Sequence, residues 1–100
     1  MASLYVTEYA GNAVPGPNGA QVAPGIPLAT QKITIGGTST ASSAFNAQTK
    51  LVRLHADAIC SFLFGAASPT AAATDSRLAA DQTEYFSVQG GGFVAAITNT

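Results

Sequence analysis

Residues 50–65 read KLVRLHADAICSFLFG, and the two halves of this stretch alternate differently. In the first half Val52, Leu54 and Ala56 fall on one side of an extended chain, and Leu51, Arg53, His55 and Asp57 on the other. Side chains alternate with period two on a strand, so this is a strand with one face to a core and one to water. In the second half, residues 59–64, ICSFLF, are apolar on both faces. That pattern belongs to a strand in the middle of a sheet. With only Asp57 and Ala58 between them, the two strands are expected to form a tight hairpin, although the Asn-Gly or Asp-Gly pair favoured in such turns is missing.

Further strands appear on either side. Residues 3–9, SLYVTEY, put Leu4, Val6 and Glu8 on one face and Tyr5, Thr7 and Tyr9 on the other. Residues 29–35, ATQKITI, put Gln31, Ile33 and Ile35 opposite Lys32 and Thr34, and Gly36-Gly37 ends the run before a polar loop, GTSTASS. Residues 43–45 read as a short strand and 46–49, NAQT, as a turn. Towards the C-terminus, TEYFSV (83–88) and FVAAIT (93–98) flank Gly90-Gly91-Gly92, which predicts a second hairpin. Residues 65–82 are rich in alanine, but Leu78 is their only large apolar residue. A helix there would lack an apolar stripe to dock with, so this stretch is expected to be loop, with at most one helical turn near 76–80.

Residues 10–28 hold four of the five prolines, Pro15, Pro17, Pro24 and Pro27, and four glycines. Proline removes a backbone donor and restricts its predecessor, so neither a helix nor a central strand fits. An extended arm or long loop is expected, with a short edge strand at 21–23. The expected architecture is a single all-β domain over residues 1–100. It is a small antiparallel β-sandwich or jelly roll of about six to eight short strands. The strand at 3–9 and the Pro/Gly-rich arm precede a sandwich core at 29–98.

Composition narrows the function classes. Net charge is −1, only 9% of residues are charged, and 49 of 100 are Ala, Gly, Ser or Thr. Four basic residues give no electrostatic grip on phosphates, so no nucleic-acid partner is expected. No apolar run is long enough for a membrane helix, and MASLYVTEY lacks the basic-then-apolar order of a secretory signal. A single cysteine forms no internal disulfide. Isolated β domains guard their sheet edges with lysine and charge, and this chain has only two lysines. A nearly uncharged surface favours self-association, so a dimer or trimer is expected.

Candidate chemistry is sparse. His55, Asp57 and Cys60 form the one cluster with a catalytic look, with the alternative that they are a polar stripe beside a buried thiol. The latter is the preferred reading, and no enzyme activity is expected. One His and one Cys with scattered carboxylates, Glu8, Asp75, Asp81 and Glu84, show no metal-ligand spacing, so neither a metal nor another cofactor is expected. The three glycines at 90–92 precede a strand rather than a helix, which favours a turn over a phosphate loop. Arg77 and Asp81 are spaced to pair on a helical turn or to stay solvated. Arg53 is suited to a carboxylate on a partner chain. Tyr5, Tyr9 and Tyr85 are candidates for a sugar-stacking patch or for interface anchors.

From residue 43 to 98 the chain resembles small structural proteins of tailed bacteriophages, among them capsid decoration or cement proteins. The likeness lies in VRLHADAICSFLFG (52–65) and PTAAATDSRLAADQTEYFSVQGGGFVAAI (69–97). Its marks are the apolar strand ending in Phe64-Gly65, the Pro69–Ala71 loop, Leu78-Ala79-Ala80 and the final glycine-turned segment. The resemblance implies a compact sandwich or jelly roll. It also implies a structural role in the virion, at the capsid surface, with the major capsid protein and further copies of the chain as partners. It carries no catalytic residue across. On that expectation Tyr5, Tyr9, the four prolines, Arg53, His55 and Asp57 are the contact candidates. The alternative is a head-fibre or tail module that binds a host-surface glycan.

Overall fold

The computed structural model describes residues 2–10 and 26–99, which form eight strands and no helix. These are β1 (Ser3–Tyr9), β2 (Ala29–Thr34), β3 (Thr40–Ala41), β4 (Leu51–Ala56), β5 (Cys60–Gly65), β6 (Ser76–Leu78), β7 (Thr83–Ser87) and β8 (Phe93–Thr98). They build two four-stranded antiparallel sheets, ordered β2-β1-β4-β7 and β3-β8-β5-β6. The expected all-β sandwich is the observed fold.

The pairings nest. β5 pairs β6, β4 pairs β7, and β3 pairs β8, so one long antiparallel ribbon is folded across both sheets. β2 would continue the series by pairing with a strand after β8, but β1 takes that place. This is the wrapping of a jelly roll with its last strand moved to the N-terminus.

Alternation explains what the sheets hold between them. Leu4 and Val6 of β1, Ile33 of β2, and Val52, Leu54 and Ala56 of β4 face Cys60, Phe62, Leu78, Val94 and Ala96 of the other sheet. Phe62, Phe64 and Phe86 meet edge-on or tilted, with ring centroids 5.2–5.9 Å apart. Such geometries suit the ring quadrupole. β1 is therefore an interior strand of its sheet rather than an appendage to a core that begins at residue 29.

Several expectations are corrected. The hairpin between the strands at 50–57 and 59–64 does not form, because β4 and β5 lie in opposite sheets. Asp57 instead prolongs the β1 ladder, donating its N–H to Ser3 O (3.1 Å) and accepting the Ser3 N–H at Oδ1 (2.6 Å). Both strands bury an apolar face, and facing sheets satisfy both at once. The hairpin across 90–92 is likewise replaced by a crossing between sheets. Gly91 N–H donates to Phe45 O and Phe45 N–H to Gly92 O, so these glycines pack on the 45–47 segment. Gly91 has φ +81°, and a Cβ on Gly90 would overlap the Ala47 carbonyl. The short strand lies at Thr40–Ala41, inside the supposed polar loop, rather than at 43–45. Finally, 76–78 is strand β6 instead of a helical turn, because Leu78 pairs with Cys60 and is fully buried. The edge strand expected at 21–23 falls outside the described residues.

Candidate functional site

Three rows of side chains cross the outer face of the β2-β1-β4-β7 sheet. Register aligns Lys32, Tyr5, His55 and Thr83 in one row and Thr30, Thr7, Arg53 and Tyr85 in the next. Tyr9, Leu51 and Ser87 form the third. Tyr5 and Tyr85 are 39% and 53% exposed, large values for aromatic residues on a sheet, whereas Tyr9 is half-buried. The Tyr5 ring has Lys32 Nζ 5.7 Å from its centroid and the His55 ring 6.5 Å away. Cations at that distance are attracted by the ring face. His55 Nδ1 shares a 2.8 Å hydrogen bond with Thr83 Oγ1, which fixes the imidazole across β4 and β7. A depression of about 450 Å3 runs between Lys32, Tyr5, Thr7, Thr30, Arg53 and His55.

The opposite sheet presents a different outer face. The 71–75 segment is tied to it: Ser61 Oγ and Asn99 Nδ2 donate to Ala73 O, and Ala71 N–H donates to Ser39 Oγ. Ser61 and Ala95, which alternation turns outward, are consequently buried. A second depression, about 410 Å3, opens at one end of the sandwich between Phe45, Phe64, Phe86, Phe93 and the 90–92 glycines.

The cluster His55, Asp57 and Cys60 is not brought together by hydrogen bonds. His55 engages Thr83, Asp57 receives the Ser3 amide, and Cys60 points into the core. Burial pushes the Cys60 thiol above its ordinary pKa, which disfavours the thiolate needed for nucleophilic attack. Among the described residues no three His, Cys, Asp or Glu side chains gather as a metal site. The 90–92 amides do not form a phosphate cradle, since Gly91 and Gly92 N–H donate to Phe45 O and Gln89 O. Arg77 lies on β6, so the helical spacing that would pair it with Asp81 does not arise.

Of the contact candidates, Tyr5, Tyr9, Arg53 and His55 share the outer face, and Asp57 is occupied at its margin. Pro27 is exposed beside Leu28, whose N–H donates to Glu8 O. Pro15, Pro17 and Pro24 fall outside the described residues. Lys32 and Thr83 join the face through strand neighbours that one sequence does not reveal. Glu8 was visible on the apolar face of its strand, and that was the signal of its role. It is 1% exposed and accepts hydrogen bonds from Gln31 Nε2, the Asn46 N–H and Thr49 Oγ1 at 2.7–2.9 Å.

Comparison of the chain with protein-family models, with curated proteins and with solved structures returned no match.

Proposed function

We propose that this chain is a non-enzymatic structural protein of a phage virion, a decoration or cement protein that binds and stabilises the lattice of major capsid protein. One observation carries the reading. The side chains with a catalytic look are engaged within the sandwich or buried in it, while its surface has very little charge. Glu8, Asp57 and His55 all bond within the fold, and Cys60 is buried. A nested jelly roll is an architecture shared by viral capsid and lectin domains, an analogy of fold that supports this reading and its alternative alike. The mechanism is cumulative. Each copy makes shallow, weakly charged contacts, and the symmetry of the shell multiplies them into avidity. A dimer or trimer matched to local capsid symmetry adds its own valency. The protein is made in the host cytoplasm and resides on the capsid surface.

The test is co-sedimentation with shells of the major capsid protein encoded in the same gene neighbourhood, with light scattering on the free chain. Saturation at one copy per capsid subunit, or at local three-fold positions, is expected. A second sample lacks residues 11–27. Glu8 and Ala29 are register partners, so this deletion leaves Tyr9, Ala10 and Leu28 to close a short hairpin loop. If shells never bind the full chain, the decoration reading fails. If the shortened chain binds and assembles as the parent does, the arm has no part in docking.

A second reading, a head-fibre or tail module that binds a host-surface glycan, is favoured by one specific observation. Tyr5 and Tyr85 stand exposed on one sheet face together with Lys32 and Arg53.

A further inference from the structure

We propose that the outer face of the β2-β1-β4-β7 sheet binds a saccharide bearing a carboxylate, of the uronic or sialic acid class, in the depression between Lys32, Tyr5 and Arg53. The proposal rests on the glycan-binding reading and names the ligand class for it.

Charge is the first argument. The whole chain has four Lys and Arg residues and one His. Lys32, Arg53 and His55 share this face, and all three line the same depression. None of the five carboxylates opposes them within the rows. Glu8 is turned inward and buried, and Glu84 pairs across with buried Leu54 on the inward side of β7. Asp75 precedes β6 in the other sheet, and Asp81, whose N–H donates to Ala56 O, lies past the end of β4, beyond the His55–Thr83 row and outside the residues that line the depression. Asp57 lies at the end of β4 and holds the Ser3 amide. In a chain with so little charge, two cations that line one shallow groove, neither held by a carboxylate among the described residues, call for an anion. Arginine offers a planar pair of donors that matches a carboxylate.

Ring and hydroxyl chemistry is the second argument. Tyr5 forms a wall of the depression and Tyr85 stands beside Arg53 in the next row. Aromatic faces pack against the C–H faces of a sugar ring while the phenol keeps a polar tip. Thr7 and Thr30 line the same groove and add hydroxyls that both donate and accept, as a polyol requires.

Size is the third argument: a groove of about 450 Å3 accommodates one or two sugar rings.

The test is a panel of uronate- and sialate-containing oligosaccharides, each beside its methyl ester, followed by amide chemical-shift titration of the best binder. The free acids are expected to bind and to shift the amides of Tyr5, Thr7, Arg53 and His55. Their esters should bind at least tenfold more weakly. Arg53→Gln and Lys32→Gln should each weaken binding of the acid about tenfold, the loss typical of one charge-assisted hydrogen bond. Both side chains lie on the outer face, and the amide spectrum itself reports whether each variant is folded. Equal binding of acids and esters would overturn the acidic-sugar proposal while leaving the glycan reading standing. Absence of binding to every glycan on the panel would overturn both. A glutamate decapeptide binding the same face as tightly as the best acid would overturn it in favour of a protein partner. Shifts confined to the Phe45, Phe64 and Phe86 end would overturn the assignment to this face.

Discussion

Replacing Glu8 with alanine is expected to cost about 3 kcal/mol of folding stability, because one carboxylate ties three segments together. Its Oε1 accepts the Asn46 N–H at 2.7 Å and the Thr49 hydroxyl at 2.8 Å, and its Oε2 accepts Gln31 Nε2 at 2.9 Å. Gln31 in turn accepts the Ser43 N–H at 2.8 Å. The arrangement clamps β1 to β2 and both to the 43–49 segment. In Glu8→Ala the Asn46 amide and the Thr49 hydroxyl lose their acceptor, and Thr49 is fully buried. Two orphaned donors at about 1–3 kcal/mol each give roughly 2–6 kcal/mol. Relief of the buried carboxylate's desolvation offsets part of this, which sets the expectation near 3 kcal/mol. For a domain of this size that lowers the melting temperature by roughly 12–24 °C. Glu8→Gln keeps one oxygen for Asn46 and Thr49 but turns an amide towards Gln31, so it should cost about 1 kcal/mol. Urea unfolding followed by circular dichroism measures both, with an unchanged slope showing that the unfolded state is the same. An alanine variant within 0.5 kcal/mol of the parent, roughly the scatter of neutral surface changes, would refute the clamp. So would a glutamine variant less stable than the alanine one.

Gly90→Ala should destabilise by about 1–3 kcal/mol, since the added methyl meets the Ala47 backbone, whereas Gly36→Ala, with open space around it, should stay within about 0.5 kcal/mol. Comparing their melting curves checks both. Cys60 should resist Ellman's reagent until the chain unfolds. Its folded pKa is raised, so below about pH 9 both states keep the proton and stability is independent of this group. As pH rises further the unfolded chain loses its proton first and stability falls, a slope that Cys60→Ala should reduce in denaturant titrations at pH 8 and pH 10. Leu54→Ala, fully buried between the sheets, should cost about 2–5 kcal/mol by urea unfolding.

Some of the candidate surface could be read along the chain, and the rest depended on which strands became neighbours. Period-two alternation put Arg53 and His55 opposite Val52 and Leu54, and Tyr5 opposite Leu4 and Val6, and both divisions hold. Nothing local says that Tyr5 stands between Lys32 and His55, because that follows from register across strands far apart in sequence. The catalytic look of His55, Asp57 and Cys60 dissolved for the same reason. Asp57 belongs to the Ser3 ladder, and Cys60 begins a strand of the other sheet. β6 was missed because three residues carry too little pattern to be read as a strand, and Leu78 reveals itself only against Cys60.

The sequence by itself determined that this chain is all-β, which residues alternate inward, and that its surface has little charge. These are properties of single strands and of composition, and the backbone's two-residue repeat makes them local. Only the tertiary structure decided the connections. Short links at 57–59 and 88–92 look like hairpin turns, yet each carries the chain from one sheet to the other. Neighbouring strands that each own a buried face are satisfied equally by lying side by side or by facing one another across the core. The choice rests on distant partners: Ser3 for Asp57, and Phe45 and Ala47 for the glycines at 90–92.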